Sequence, residues 1–148
     1  MKIQDGDILP GIGIGNIKLD ITKGELIDII GENYEQRPNA SGGVISVENA
    51  SFWIAEDGRV NQIGVGGDFK GKYKKKIGIG STLKEVKEYI GNYKEVFDTY
   101  ELEQVRGMCF ELKDVDEWED GTELIVPIEY IYVFRVDWVF SGATEDYQ

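Results

Sequence analysis

The sequence predicts an α+β protein in which two related units, each a short helix followed by an antiparallel meander, share one sheet with the helices on one face. Three observations lead there. The stretch TKGELIDIIG at 22–31 returns as TLKEVKEYIG at 82–91, and a recurring unit suggests one fold built twice. Each copy opens on a helix-start signal and closes on a glycine. Each is followed by short segments of β-type sequence separated by turn residues.

Thr22 with Glu25, and again Thr82 with Glu85, have the spacing of a capping box, in which the hydroxyl accepts from an orphan amide and the glutamate reaches back. Leu26, Ile27 and Ile30 in the first copy, and Leu83, Val86 and Ile90 in the second, recur at helical spacing and make one apolar stripe. Gly31 and Gly91 then offer the left-handed residue that ends a helix without steric cost. Helices of roughly nine residues are marginal alone in water, so both are expected to lie against strands.

Residues 1–21, with Ile12, Ile14, Ile17 and Leu19 set among glycines, suit an extended edge segment leading into the first helix. Gly11, Gly13 and Gly15 do not complete a GxGxxG phosphate loop, because Asn16 stands where the last glycine belongs. A polar loop with Pro38 and Gly42-Gly43 follows the first helix. Strands are then expected at Val44–Val47, Ser51–Ala55 and Val60–Val65, the last two joined by Glu56-Asp57-Gly58-Arg59, where Asp-Gly is a strong hairpin signal. The basic run GGDFKGKYKKK is read as a solvated linker rather than a nucleic-acid patch.

The second unit repeats the plan, with a helix over Thr82–Ile90 and extended segments at Val96–Tyr100 and Met108–Leu112. An acidic insertion, KDVDEWEDGTE, comes next, where the first unit has only a tight turn. Leu124–Val126, Tyr130–Val136 and Trp138–Phe140 complete the expected sheet, and the tail ATEDYQ is expected to fray. The whole is expected to be one domain of two pseudo-repeats, about 8–70 and 76–140. Along the last strands Tyr130, Tyr132, Phe134, Val136, Trp138 and Phe140 share one face, and Ile131, Val133, Arg135, Asp137 and Val139 the other. The fully apolar aromatic set is expected to be the core. The alternative is an exposed aromatic face ready for binding.

Charge narrows the function. The net charge is −12; residues 1–75 hold 9 basic and 11 acidic side chains, and residues 76–148 hold 7 and 17, so the field belongs to the second half. A phosphate backbone needs Lys and Arg to displace its counterions, so a nucleic-acid partner is not expected and a cationic protein is. No run approaches the roughly 18 apolar residues of a membrane span, and the start carries no apolar signal region, so no membrane partner and a cytoplasmic location are expected. Cys109 is the single cysteine, which excludes an internal disulfide.

There is no histidine, so the commonest general base and metal ligand is missing, together with Ser–His and Cys–His nucleophilic pairs. Asp114, Asp116, Glu117, Glu119 and Asp120 do not match the DxDxDG calcium loop, because Trp118 and Gly121 break the spacing. The expectation is a non-enzyme that uses no cofactor and no metal. The cluster has another use: carboxylates around an indole attract a cationic partner over distance while the ring anchors the contact. Asp114, Asp116, Glu117, Trp118, Glu119 and Asp120 are therefore the expected partner-binding residues, set against a charged loop that serves only solubility.

The two helix motifs, in GIGIGNIKLDITKGELIDIIG and KIGIGSTLKEVKEYIG, each with following hairpin sequence such as SFWIAEDGRVNQIGV and GMCFEL with IEYIYVF, resemble the tandem units of the β-lactamase-inhibitor-protein-like fold. That fold includes small bacterial inhibitors, envelope lipoproteins and several immunity proteins of interbacterial toxin systems. The resemblance implies two short helical elements per half on one curved antiparallel sheet, whose concave side in the inhibitor family grips another protein. It also implies a function: an acidic immunity protein that occludes a basic toxin domain, a nuclease by preference, with the second half mimicking the charge of nucleic acid. The alternative is a generic regulatory or phage-encoded adaptor using the same sheet.

Overall fold

The computed structural model describes residues 2–38, 42–114 and 122–136. Strands β1 (Ile8–Leu9), β2 (Gly13–Ile14) and β3 (Ile17–Lys18) form a small antiparallel sheet that leads into helix α1 (Lys23–Ile30). Four strands follow, β4 (Glu35–Arg37), β5 (Val44–Val47), β6 (Ala50–Ile54) and β7 (Val60–Val65). A two-stranded ribbon, β8 (Lys72–Tyr73) and β9 (Ile77–Gly78), precedes helix α2 (Leu83–Tyr89). The chain then forms β10 (Tyr93–Val96), β11 (Thr99–Leu102) and β12 (Met108–Leu112), a 3-10 turn at Thr122–Leu124, and β13 (Ile128–Phe134). The protein is thus of the α+β class, mostly antiparallel sheet with two short helices.

The main sheet has eight strands in the order β10-β11-β12-β13-β7-β6-β5-β4. Each helix is followed by a four-strand antiparallel run, and the two runs meet where β13 lies beside β7, with Ile131 opposite Val65 and Val133 opposite Ile63. One α-helix precedes each run, where the resemblance implied two helical elements per half.

Both capping boxes form. Thr22 Oγ1 accepts from the Glu25 amide at 3.1 Å and the Glu25 carboxylate accepts from the Thr22 amide at 3.0 Å; the corresponding distances at Thr82 and Glu85 are 3.3 and 3.1 Å. Gly31 closes α1 at φ 87°, its amide donating to the Ile27 carbonyl. The second helix ends differently, with Ile90 as its cap and Gly91 nearly extended at φ 156°. Replacing Thr22 or Thr82 by alanine is expected to cost about 1 kcal/mol each. In a chain of this size that lowers the melting temperature by about 2–4 °C, which thermal denaturation followed by circular dichroism will read.

Antiparallel partners directly opposite one another share a face. The inner face carries Ile45, Phe52, Ile63, Val133 and Met108 in one row and Ala50, Val65, Ile131 and Phe110 in the next. Leu26 and Ile30 of α1 and Leu83 and Val86 of α2 join these in one continuous buried cluster. The helices therefore cover the Ile131/Val133 face. This corrects the expectation for the last strand: Ile131 and Val133 are fully buried, whereas Tyr132 is half-buried and Tyr130 exposed on the outer face. Charge at Arg135 misleads the pattern, because that residue lies beyond the end of β13.

Several boundaries also differ. The segment expected as one strand at Val96–Tyr100 is the end of β10, a two-residue turn at Phe97-Asp98, and the start of β11. Leu124–Val126 is a 3-10 turn and its exit rather than a strand. The basic run is partly structured: Phe69 and Tyr73 are buried in the core, and Lys70 N donates to Asp5 Oδ1 at 2.9 Å. Those two aromatics are thereby removed from any stacking role on nucleic acid. Asn49 clamps the start of the chain, accepting from Ile3 N at 2.9 Å and donating to Ile3 O at 3.1 Å. The Asp57-Gly58 hairpin forms as expected, with Asp57 Oδ1 accepting from the Arg59 amide. The segment Trp138–Phe140 and the tail lie outside the described residues.

Candidate functional site

The outer face of the sheet is built from small and aromatic side chains in register. One row runs Ser46, Ser51, Gly64, Tyr132, Cys109 across five strands. Ser46 and Ser51 share a hydrogen bond of 2.9 Å between their hydroxyls. Tyr132 lies across Gly64, so that a methyl at Gly64 would sit 2.7 Å from the ring, and Tyr130 lies across Gly66 in the same way, at 2.6 Å. A glycine in a strand commonly marks such a close approach. Trp53 meets Tyr132 edge to face with centroids 5.8 Å apart, and Tyr130 is tilted on Tyr132 at 6.2 Å.

Together these rings and glycines line a shallow groove of about 510 Å³, with Arg37 at its side. Gly64→Ala is expected to cost about 1–3 kcal/mol through overpacking. Because Tyr132 is the group it strikes, Gly64→Ala combined with Tyr132→Ala will cost less than the sum of the two single changes, as contacting residues do. A double-mutant cycle in urea reads the difference.

Tyr132 Oη donates to Glu111 Oε1 at 2.9 Å; burial, then the neighbouring Glu111 carboxylate, pushes the phenol above its ordinary value. The Cys109 thiol is held well above its usual range by burial and by Glu101. A thiol so held is no nucleophile at neutral pH, since reactivity belongs to the thiolate. Glu101 sits opposite Lys94, yet burial outweighs that lysine and raises its carboxyl above the usual value.

The sign of that shift gives a test. The folded state holds the Glu101 proton to higher pH than the unfolded chain, so its contribution is full at low pH and is lost as pH rises through the folded value. Glu101→Gln is therefore expected to melt higher than the parent at pH 7, with the difference closing below the ordinary carboxylate range. Melting curves at several pH values check it.

Strand direction gathers a second set of groups at one end of the sheet. The Phe97-Asp98 turn, the exit of β12 at Leu112, the start of β13 at Ile128, the exit of β7 at Val65 and the β5–β6 turn at Glu48-Asn49 all lie there, as the registers require. Phe97 and Ile125 are each 70% exposed, and Tyr130, opposite Glu111 near the start of β13, is exposed on the outer face. Glu95, Asp98 and Glu123 act together on the Tyr100 phenol, which burial first and then these carboxylates push upward. Lys2 bonds to Asp68 at this end and reaches Glu48 at 4.0 Å.

Of the residues expected to bind a partner, Asp114 is described, and it is exposed at the foot of the acidic insertion, past the exit of β12. Asp116, Glu117, Trp118, Glu119 and Asp120 lie outside the described residues. The Thr122–Leu124 turn brings the chain back with Glu123. Sequence reasoning missed Trp53, Gly64, Gly66 and Phe97. The alternation Gly64-x-Gly66 against Tyr130-x-Tyr132 was the available signal for the first group, but it acquires meaning only once β7 is known to pair with β13. Among the described residues no group of three His, Cys, Asp or Glu is placed to hold a metal ion, and no helix is long and apolar enough to cross a membrane.

The fold and surface define an α+β protein with an open aromatic sheet face and a carboxylate-rich sheet end. It is similar in fold to a solved structure, the crystal structure of the uncharacterized protein yfeY from Escherichia coli, with a TM-score of 0.54 over 91% of this chain and 100% of that one, at 12% identity. No protein-family model and no curated protein matches the sequence.

Proposed function

We propose that the protein is an acidic inhibitor of the immunity-protein kind, which binds a cationic toxin domain, by preference a nuclease, in the cytoplasm and occludes its working surface. The observation that carries this reading is the β10–β11 end of the sheet, where the Phe97 ring is 70% exposed on a turn beside Asp98, and Glu95, Asp98 and Glu123 act together on Tyr100. Exposed aromatic groups within a charged rim are the composition of strong protein contacts, and the charge of −12 selects a basic partner. Asp114, Asp116, Glu117, Trp118, Glu119 and Asp120 are the residues proposed to contact the partner. The two halves are read as related units of one curved sheet, about 8–70 and 76–140, without catalysis or cofactor.

The experiment is a search of the neighbouring genes for a basic toxin domain, followed by its co-production with this protein; absence of such a gene favours the adaptor alternative. The expected result is rescue of growth and a stoichiometric complex in which the toxin is inactive. Growth arrest that persists despite abundant folded protein overturns the reading and leaves the adaptor alternative.

A further inference from the structure

We propose that Phe97 is the anchor side chain of this protein's interface, inserted into an apolar pocket on the basic surface of its protein partner; this rests on the reading of the protein as a binder of a cationic domain. Phe97 occupies the first position of the two-residue turn between β10 and β11, at φ 50°. A bulky side chain with positive φ is an outlier, and glycine is the residue that two-residue hairpin turns favour where only the first position has positive φ. The ring is also 70% exposed. Local backbone sterics and hydration both disfavour phenylalanine here, so its presence is explained by what it touches in a complex.

Charge states the partner's chemistry. Asp98 follows Phe97 directly and Glu95 lies two residues before it, and Glu123 acts with both on Tyr100. The nearest strand cation, Lys94, is directed to Glu101 across the β10–β11 pair. A benzyl group on a turn whose near neighbours include Glu95, Asp98 and Glu123 fits a pocket rimmed by Lys or Arg better than one rimmed by carboxylates. Turn position adds a mechanical reason. The tip of an edge hairpin projects beyond the sheet, so its side chain enters a cleft with little displacement of backbone.

The test uses the full chain carrying photoreactive p-benzoylphenylalanine at position 97, produced in the native host, with the same probe at Ile12 as control. Ile12 is equally a surface residue but lies at the opposite end of the sheet, beside the Gly11–Gly107 contact. The protein captured at 97 is then purified, and its affinity is measured for the parent, Phe97→Gly and Phe97→Tyr. Support requires capture of a basic protein at 97 well above the level at 12. It also requires at least a tenfold loss of affinity in Phe97→Gly, which melts no lower than the parent, and affinity within about threefold in Phe97→Tyr.

A basic partner bound equally well by Phe97→Gly overturns the anchor while leaving the inhibitor reading intact. Capture of an acidic protein, of a second copy of this chain, or no capture beyond the control overturns the anchor. If rescue in the co-production experiment fails as well, the inhibitor reading falls with it.

Discussion

Phe110→Ala is expected to remove about 3–5 kcal/mol of folding free energy and to weaken both halves of the chain at once. Phe110 is fully buried in β12, opposite Ile131 on one side and Tyr100 on the other. The cluster it joins runs without a break from Ile8 in the first strand to Val133 in the last. A loss in the second half therefore propagates through β13 into β7. Urea denaturation is expected to give one transition by Trp fluorescence and by circular dichroism, with a lower midpoint. Hydrogen exchange in α1 will accelerate although that helix is distant in sequence. Two separate transitions, or an unchanged α1, would show that the halves are stabilised independently.

The rate of association with a cationic partner is expected to fall roughly 10- to 1,000-fold between low and high salt, the range over which electrostatic steering operates. Screening acts on the long-range part of the attraction, because the Debye length shrinks from about 30 Å at 0.01 M to about 3 Å at 1 M salt. Dissociation should change far less. Neutralising Asp114, Asp116, Glu117, Glu119 and Asp120 to their amides should reproduce much of the salt effect at low ionic strength, since these five are among the 17 acidic residues of the second half. Stopped-flow kinetics separates the two rates. An association rate indifferent to salt would leave the charge without a steering role.

Much of the fold was legible because its signals are local. Thr22 with Glu25 and Thr82 with Glu85 specify helix starts within four residues, and Asp57-Gly58 specifies a hairpin within two. The outer face was not legible, because whether Tyr130 and Tyr132 point outward depends on β13 pairing with β7, about 68 positions away in sequence. The turn at Phe97 was hidden for a different reason. A phenylalanine followed by an aspartate carries none of the glycine or asparagine chemistry that announces a tight turn, so the segment reads as continuous strand. Lys74 and Lys75, at φ 51° and 62°, disguise the β8–β9 turn in the same manner. Phe69 and Tyr73 read as part of a solvated linker because the lysines around them dominate the composition, although their rings are buried.

The seam between β7 and β13 also governs how the chain comes to be. β7 is buried at all six residues and lies inside the sheet, yet the neighbour that completes it is the last described strand of the chain. During synthesis β4 to β7 can be assembled while one flank of β7 still lacks its mate, an open ladder of amides and carbonyls beside the apolar Val60, Ile63 and Val65. Such an incomplete ladder invites pairing with other nascent chains. Truncation before residue 128 should therefore yield inclusion bodies rather than a smaller folded module, and productive folding must wait for the ribosome to deliver the closing strand.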